Sequence, residues 1–105
     1  MENRLTNNPI YFDQFDADVT LAVNGSPLII KKIRCLSVTD GDIFRLEDIA
    51  GNRLVHMVNK GANDDFETDF GPNGQIFTDG VVIDVSDCTG MAATDGTDAV
   101  WIYLK

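Results

Sequence analysis

The stretch that decides the fold is residues 17 to 39, which read ADVTLAVNGSPLIIKKIRCLSVT. In its first part, Val19, Leu21 and Val23 alternate with other residues, which is the two-residue period of a half-buried β-strand. Asn24-Gly25 follows, and this dipeptide is a strong hairpin signal because both residues tolerate the positive φ angles of a type I′ turn. The stretch therefore predicts two antiparallel strands joined by a tight turn.

In the second half of this stretch, the apolar residues change from one face of the predicted strand to the other. Leu28 and Ile30 share one face of the predicted strand, whereas Ile33 and Cys35 share the other. The parity changes at Lys31-Lys32, as it does when one extra residue is inserted into a strand. We therefore predict at this point either a β-bulge or a passage of the chain from one sheet to another.

Further strand patterns recur roughly every ten residues between turns that contain glycine, as in a β-sandwich or barrel. Phe44 and Leu46 are predicted to face one way in their strand, and another strand is predicted over residues 81 to 86. Residues 53 to 59 have apolar side chains on both faces, which predicts a central strand. The weak pattern from Lys60 to Gly74 predicts a long surface connection.

Together these patterns predict an all-β protein without a long helix. The expected architecture is an antiparallel β-sandwich, jelly-roll or Ig-like, of seven or eight strands. Residues 17 to 105 form the predicted domain, and residues 1 to 16 form an N-terminal arm or the first edge strand. A chain of 105 residues is long enough to bury one core.

The charge of the chain bears on its partners. The formal net charge is −9, with only eight basic residues, which disfavours binding to nucleic acid. Lys31, Lys32 and Arg34 are close in sequence, but neighbouring strand residues point to opposite faces, so we expect no single basic patch. No run approaches the roughly 18 apolar residues of a membrane span, and Met1 to Arg4 lead into polar residues. The sequence predicts an intracellular origin and no membrane partner.

Residues that could carry chemistry are sparse. His56 is the single histidine, and Cys35 and Cys88 are the two cysteines, so we predict no catalytic site and no zinc site. The two cysteines are predicted to be buried free thiols, or a disulfide if the fold brings them together. The seventeen carboxylates leave calcium binding or glycosidase chemistry open, although they match no EF-hand pattern. The candidate acids form three clusters: Asp13, Asp16 and Asp18; Asn63, Asp64 and Asp65; and Asp84 with Asp87. No phosphate-binding loop is present, and we expect a protein without a cofactor that is not an enzyme.

Aromatic residues are the best candidates for contact with a partner. If Val100 and Ile102 face inward, Trp101 and Tyr103 lie on the outward face of the last strand or under a covering segment. The residues from Pro9 to Phe15 are expected to form that cover or an arm that docks on a neighbour. The predicted contact residues are Ile10, Tyr11, Phe12, Phe15, Phe66, Phe70, Trp101 and Tyr103.

Four segments carry a family resemblance: residues 28–33, 43–52, 80–84 and 99–104. In their order and character they resemble small β-sandwich virion proteins of tailed bacteriophages, especially head decoration or cement proteins. The resemblance implies a non-enzymatic virion protein, assembled in the host cytoplasm. It implies binding at junctions between major capsid subunits and stiffening of the shell, with further copies of the chain as other partners. Two alternatives stay open: a neck or tail component that forms rings, and a carbohydrate-binding module that uses Trp101 or Tyr103 as a stacking platform.

Overall fold

The strands are given by a computed structural model, which describes residues 8–21, 27–49, 54–78, 80–91 and 97–105. These residues form nine β-strands and one short 3₁₀ helix. The strands are β1 (Ile10–Phe12), β2 (Val19–Leu21), β3 (Leu28–Ser37), β4 (Ile43–Asp48), β5 (Leu54–Val58), β6 (Asp64–Asp69), β7 (Gln75–Phe77), β8 (Val81–Ile83) and β9 (Ala99–Leu104), and the 3₁₀ helix covers Val85–Asp87.

The strands form two antiparallel sheets. One sheet has the order β1-β9-β3-β6, with β7 also paired to β3, and the other has the order β2-β8-β4-β5. Strand pairing is nested along the chain: β1 pairs with β9, β2 with β8, β3 with β6 and β7, and β4 with β5. This nesting is the jelly-roll form of the β-sandwich. The predicted all-β sandwich is confirmed, with nine strands instead of seven or eight.

The extra strand comes from an interruption on one edge of β3. β6 pairs with residues 32 to 37 of β3 and β7 pairs with residues 28 to 30, so the two short strands lie end to end. Between them, residues 70 to 74 lie opposite Lys31, whose carbonyl accepts a hydrogen bond from the Phe70 amide at 2.8 Å. Gly74 closes this insertion with φ of +73°, and a Cβ there would lie only 2.9 Å from the Ile30 carbonyl oxygen.

The predicted bulge in β3 is confirmed. The register between β3 and β9 shifts between Ile30 and Lys32. On either side of the shift, Ile30 and Ile33 are both fully buried, which accounts for the change of parity in the sequence. β3 stays within one sheet throughout, so the alternative passage between sheets is wrong.

The core lies between the inner faces of the two sheets. Phe44 and Leu46 share one face as predicted, and this face points inward, with exposed fractions of 0% and 1%. Phe12 packs against Phe15 and Phe44, with ring centroids 5.2 and 5.9 Å apart. The N-terminal residues from Ile10 to Phe15 therefore belong to the body of the sandwich, and Ile10–Phe12 is an edge strand paired with β9. They are not a cover over Trp101 and Tyr103.

Three local predictions are wrong. β5 is the last strand of the four-stranded sheet and not a central one. Its second apolar face, which carries Leu54 and Val58, is exposed. The predicted connection from residue 60 to 74 contains β6, whose polar sequence DDFETD is held as a strand by pairing with β3. The predicted strand over residues 81 to 86 ends at Ile83, because Asp84 caps the 3₁₀ helix that follows.

Several predicted turns lie outside the described residues. They include Asn24-Gly25, the centre of the connection between β4 and β5, and residues 92 to 96.

Candidate protein-binding face

The outward side of the five-stranded sheet, called the outer face below, collects residues from four strands. Lys32 and Arg34 come from β3, and Tyr11, Trp101 and Tyr103 come from the two strands on one side of it. One row across the sheet reads Tyr11, Trp101, Arg34 and Glu67, and the next row includes Tyr103, Lys32 and Asp69. Alternation along each strand places all these side chains on one surface because they follow the same parity.

The first row is organised around Arg34. Its guanidinium carbon lies 4.7 Å from the centre of the Trp101 ring. On the other side, Arg34 makes a bidentate pair with Asp65, in which Nε donates at 2.9 and 3.0 Å and Nη2 donates at 2.7 Å. Tyr11 contacts Trp101 with ring centroids 5.4 Å apart. The arginine is thus fixed between an aromatic ring and a carboxylate.

The second row repeats this arrangement with lysine. The Lys32 ammonium lies 4.7 Å from the centre of the Tyr103 ring and 3.7 Å from a carboxylate oxygen of Glu67. The outer face therefore has a regular composition, in which aromatic side chains lie on one flank, two cations in the centre and acids on the other flank.

The charged pairs of the outer face orient its side chains more than they stabilise the fold. Hydrogen bonding to Asp65 raises the pKa of Arg34 further above its ordinary value, so its charge is permanent. Exposed ion pairs of this kind typically contribute only about 0.2 to 1 kcal/mol to folding. The network favours one orientation of the Trp101 and Tyr103 rings, because each ring lies against a cation that is itself paired with an acid.

A groove of about 500 Å³ lies at one end of the outer face. Its walls include Lys31, Lys32, Asp69, Pro72 and Tyr103. The expectation that Lys31 and Lys32 point to opposite faces is wrong, because the bulge places both lysines along this groove.

The predicted contact residues fall into three groups. Tyr11, Trp101 and Tyr103 lie together on the outer face. Ile10, Phe12 and Phe15 are buried, with exposed fractions of 3%, 0% and 5%, so the expectation that they are free to contact a partner is wrong. Phe66 and Phe70 are partly buried and pack against the core, so they do not belong to the outer face.

Sequence reasoning missed the charged members of the outer face. Lys32 and Arg34 alternate on β3, and Asp65, Glu67 and Asp69 alternate on β6 with the same two-residue period. The period of the acids was a usable strand signal. A strand pattern that is defined on apolar residues alone does not include this period of acidic residues.

The two cysteines and the histidine lie away from the outer face. Cys35 and Cys88 are buried and free, as predicted, and His56 is exposed on β5. Burial raises the pKa of the Cys35 thiol far above its usual value, and burial raises the pKa of Cys88 to about 11. Both thiols are therefore protonated at neutral pH.

These thiols are expected to resist modification in the folded protein. At pH 8 the native chain should react very slowly with Ellman's reagent, and both thiols should react at once in denaturant, because the thiolate is the nucleophile. The folded state should also lose stability as the pH rises from about 8.5, the ordinary thiol value, through the raised value near 11. Rapid labelling of one thiol under native conditions at pH 8 would contradict this assignment.

Acids from two of the predicted clusters accept hydrogen bonds from backbone amides. An Asp18 carboxylate oxygen accepts a hydrogen bond from the Val85 amide at 3.0 Å. Asp84 accepts hydrogen bonds from the Ser86 hydroxyl at 2.6 Å and from its amide at 3.0 Å, and these bonds lower the pKa of Asp84. In the described part of the chain, no group of three or more histidine, cysteine or acidic residues is arranged to hold a metal ion.

Comparison with protein-family models, with curated protein sequences and with solved structures finds no match to this chain. Among the residues that the structure describes, no helix has the length and hydropathy needed to cross a membrane.

Proposed function

We propose that this chain is a non-enzymatic structural protein of a bacteriophage virion, a capsid decoration protein that binds the capsid surface through its outer face. The observation that carries the proposal is the fixed stack of Arg34 on Trp101, braced by Asp65 and bordered by Tyr11.

The chemistry of the outer face suits recognition of a protein. Tryptophan, tyrosine and arginine are the residues most enriched in binding hot spots. Tryptophan and tyrosine offer a large contact area with only two rotatable bonds, and arginine offers a planar group with five hydrogen-bond donors. In the free protein these side chains are already held in one arrangement, so less conformational entropy is lost on binding. The acidic flank formed by Asp65, Glu67 and Asp69 fixes the orientation of the partner through charge.

The overall charge is compatible with display in many copies. A formal charge of −9 keeps many copies soluble until each meets its site. On a symmetric shell, many equivalent contacts of moderate strength add up to stabilise the whole particle. The jelly-roll fold itself hosts many functions, so the proposal depends on the face and not on the fold.

The carbohydrate-binding alternative fits this face less well. A sugar stacks on an open aromatic ring, but Arg34 lies over the Trp101 ring and is bound to Asp65 by two of its nitrogens. Stacking of a sugar on that side would require the arginine to leave both partners.

The test is binding to capsids. Undecorated capsids of the phage that encodes this chain are mixed with the protein and sedimented, and the bound fraction is measured. Arg34→Ala and Trp101→Ala should each weaken binding roughly 30-fold or more, as expected for hot-spot residues that contribute about 2 kcal/mol. Thr20→Ala, an exposed change on the other sheet, is the matched control and should bind like the wild type.

Two outcomes would overturn the proposal. One is a wild-type protein that does not sediment with capsids, and the other is capsid binding that both variants retain in full. Circular dichroism of each variant shows that a loss of binding is not a loss of folding. If the protein instead binds a glycan array and Trp101→Ala abolishes that binding, the carbohydrate-binding function replaces the proposal.

A further inference from the structure

The free edge of β5 presents backbone groups that no described strand pairs with. Asn59 donates its amide to the Asp42 carbonyl and accepts from the Gly41 amide, both at 2.8 Å, so the backbone of Asn59 points toward β4. Backbone direction alternates along an antiparallel strand. The amides and carbonyls of Leu54, His56 and Val58 therefore point away from β4, to the outer edge of the four-stranded sheet.

This edge lacks the protection that the other sheet edges have. Edge strands are normally kept from pairing by charged residues, proline, bulges or short length. β6 carries four acids, β6 and β7 are separated by an insertion, and β1 and β2 are three residues long. β5 has five residues, LVHMV, without a lysine, an acid or a proline, and it exposes Leu54 by 53% and Val58 by 39%.

We propose that β5 is a self-association site, at which a second copy of this chain adds its own β5 in antiparallel orientation. With the two-fold axis at His56, Leu54 lies opposite Val58 of the second copy, and the two His56 residues face each other. Every residue of the strand is then paired, and two four-stranded sheets join into one of eight strands. A two-fold axis requires such a self-complementary surface, and the five residues of β5 provide one.

Charge favours a second copy as the occupant of this edge. The chain carries a net charge of −9, yet residues 49 to 63 contain no acid, and Arg53 and Lys60 flank β5 in the sequence. The strand itself therefore adds no like-charge repulsion between two acidic copies. A groove of about 270 Å³ beside β5, lined in part by Asp64 and Glu67, provides acids for the basic flanks of an incoming strand.

The association is expected to be weak. Pairing of five residues a side buries less than the roughly 1,200 Å² of a standard interface. Because both copies are acidic, added salt should strengthen the dimer by screening their overall repulsion.

Sedimentation equilibrium of the full chain tests the proposal. Over protein concentrations from about 10 μM to about 1 mM, the apparent mass should rise from 11.5 kDa toward twice that value. The double variant Leu54→Lys and Val58→Lys should stay at the monomer mass, because charge on an edge blocks pairing. Ile76→Lys is the matched control, since Ile76 is 47% exposed on a strand of the other sheet, and it should still form the dimer.

Cysteine variants test the register in which the two β5 strands pair. His56→Cys places two thiols opposite each other across the axis, so a short bifunctional thiol reagent should link the dimer. Leu54→Cys places its thiols two residues on either side of the axis, which is beyond the reach of the same reagent. A wild type that is monomeric throughout, a dimer that the double lysine variant retains, or equal linking of both cysteine variants would each overturn the proposal.

Glu67 borders both surfaces, but the substituted residues lie on different sheets, so the double lysine variant should still bind capsids, and the Arg34→Ala variant should still dimerise.

Discussion

Replacing Phe12 with alanine is expected to lower the free energy of unfolding by about 3 to 5 kcal/mol, the usual range for truncating a buried phenylalanine. The Phe12 side chain is fully buried, and its ring touches those of Phe15 and Phe44. It therefore links the N-terminal edge strand to the facing sheet. Urea denaturation followed by Trp101 fluorescence measures the change, as a shift of the midpoint at constant slope.

Tyr11→Ala is the matched control for this change, because Tyr11 lies on the same strand but points to the outer face. It should cost less, about 1 to 2 kcal/mol, since its ring is only partly buried, even though its hydroxyl loses the hydrogen bond that it donates to the buried Asp13 carboxylate at 3.0 Å. If neither Phe12→Ala nor Tyr11→Ala destabilises the protein, the N-terminal residues would be a separable arm and their place in the core would be wrong.

Much of the sandwich was predictable because its strands bury one face each. The alternation in β2, β4 and β9 identified both the strands and the inward residues. The parity change at Lys31-Lys32 located the bulge, since a single inserted residue reverses every later side chain.

β5 and β6 were harder to predict, since their character depends on what lies beside them. β6 has little apolar alternation, and its strand conformation comes from the ladder with β3 and the pair between Arg34 and Asp65. In β5 the outward Leu54 and Val58 look like core residues in the sequence. No local pattern shows whether a second strand covers such a face.

Only part of the candidate site could be predicted, because some of its residues are identified by their neighbours on adjacent strands and not by the pattern along one strand. The parity of β9 showed that Trp101 and Tyr103 share one face, which would lie outward or under a covering segment if Val100 and Ile102 face inward. Arg34 became part of the site only through the cross-strand register, which sets it between Trp101 and Glu67. Phe12 and Phe15 were misassigned because aromatic residues near a chain terminus can belong equally to a core or to an arm.

Asn59→Ala is expected to destabilise the fold by about 3 kcal/mol, since buried groups that lose a hydrogen-bond partner each cost about 1 to 3 kcal/mol. Asn59 is 1% exposed, at the end of β5. Its side-chain amide donates to the carbonyls of Ser37 and Thr39 at 3.2 and 2.8 Å, and its side-chain oxygen accepts from the Gly61 amide at 3.0 Å. One side chain thus joins the end of β3 to the start of the segment that leads into β6.

The loss is expected to extend beyond Asn59, because its contacts belong to a buried polar node of Ser37, Asp42, Asn59 and Asp98. The Ser37 hydroxyl donates to Asp42 at 2.5 Å, and Asp98 accepts from the Val38 amide at 3.1 Å. Polar groups that are fully satisfied in a core fix one arrangement of the chain, and partial satisfaction is costly. Asn73→Ala, an exposed asparagine in a turn, is the control and should stay within about 0.5 kcal/mol of the wild type. A midpoint of urea unfolding that moves no further for Asn59→Ala than for Asn73→Ala would show that water replaces these hydrogen bonds and that the node does not stabilise the fold.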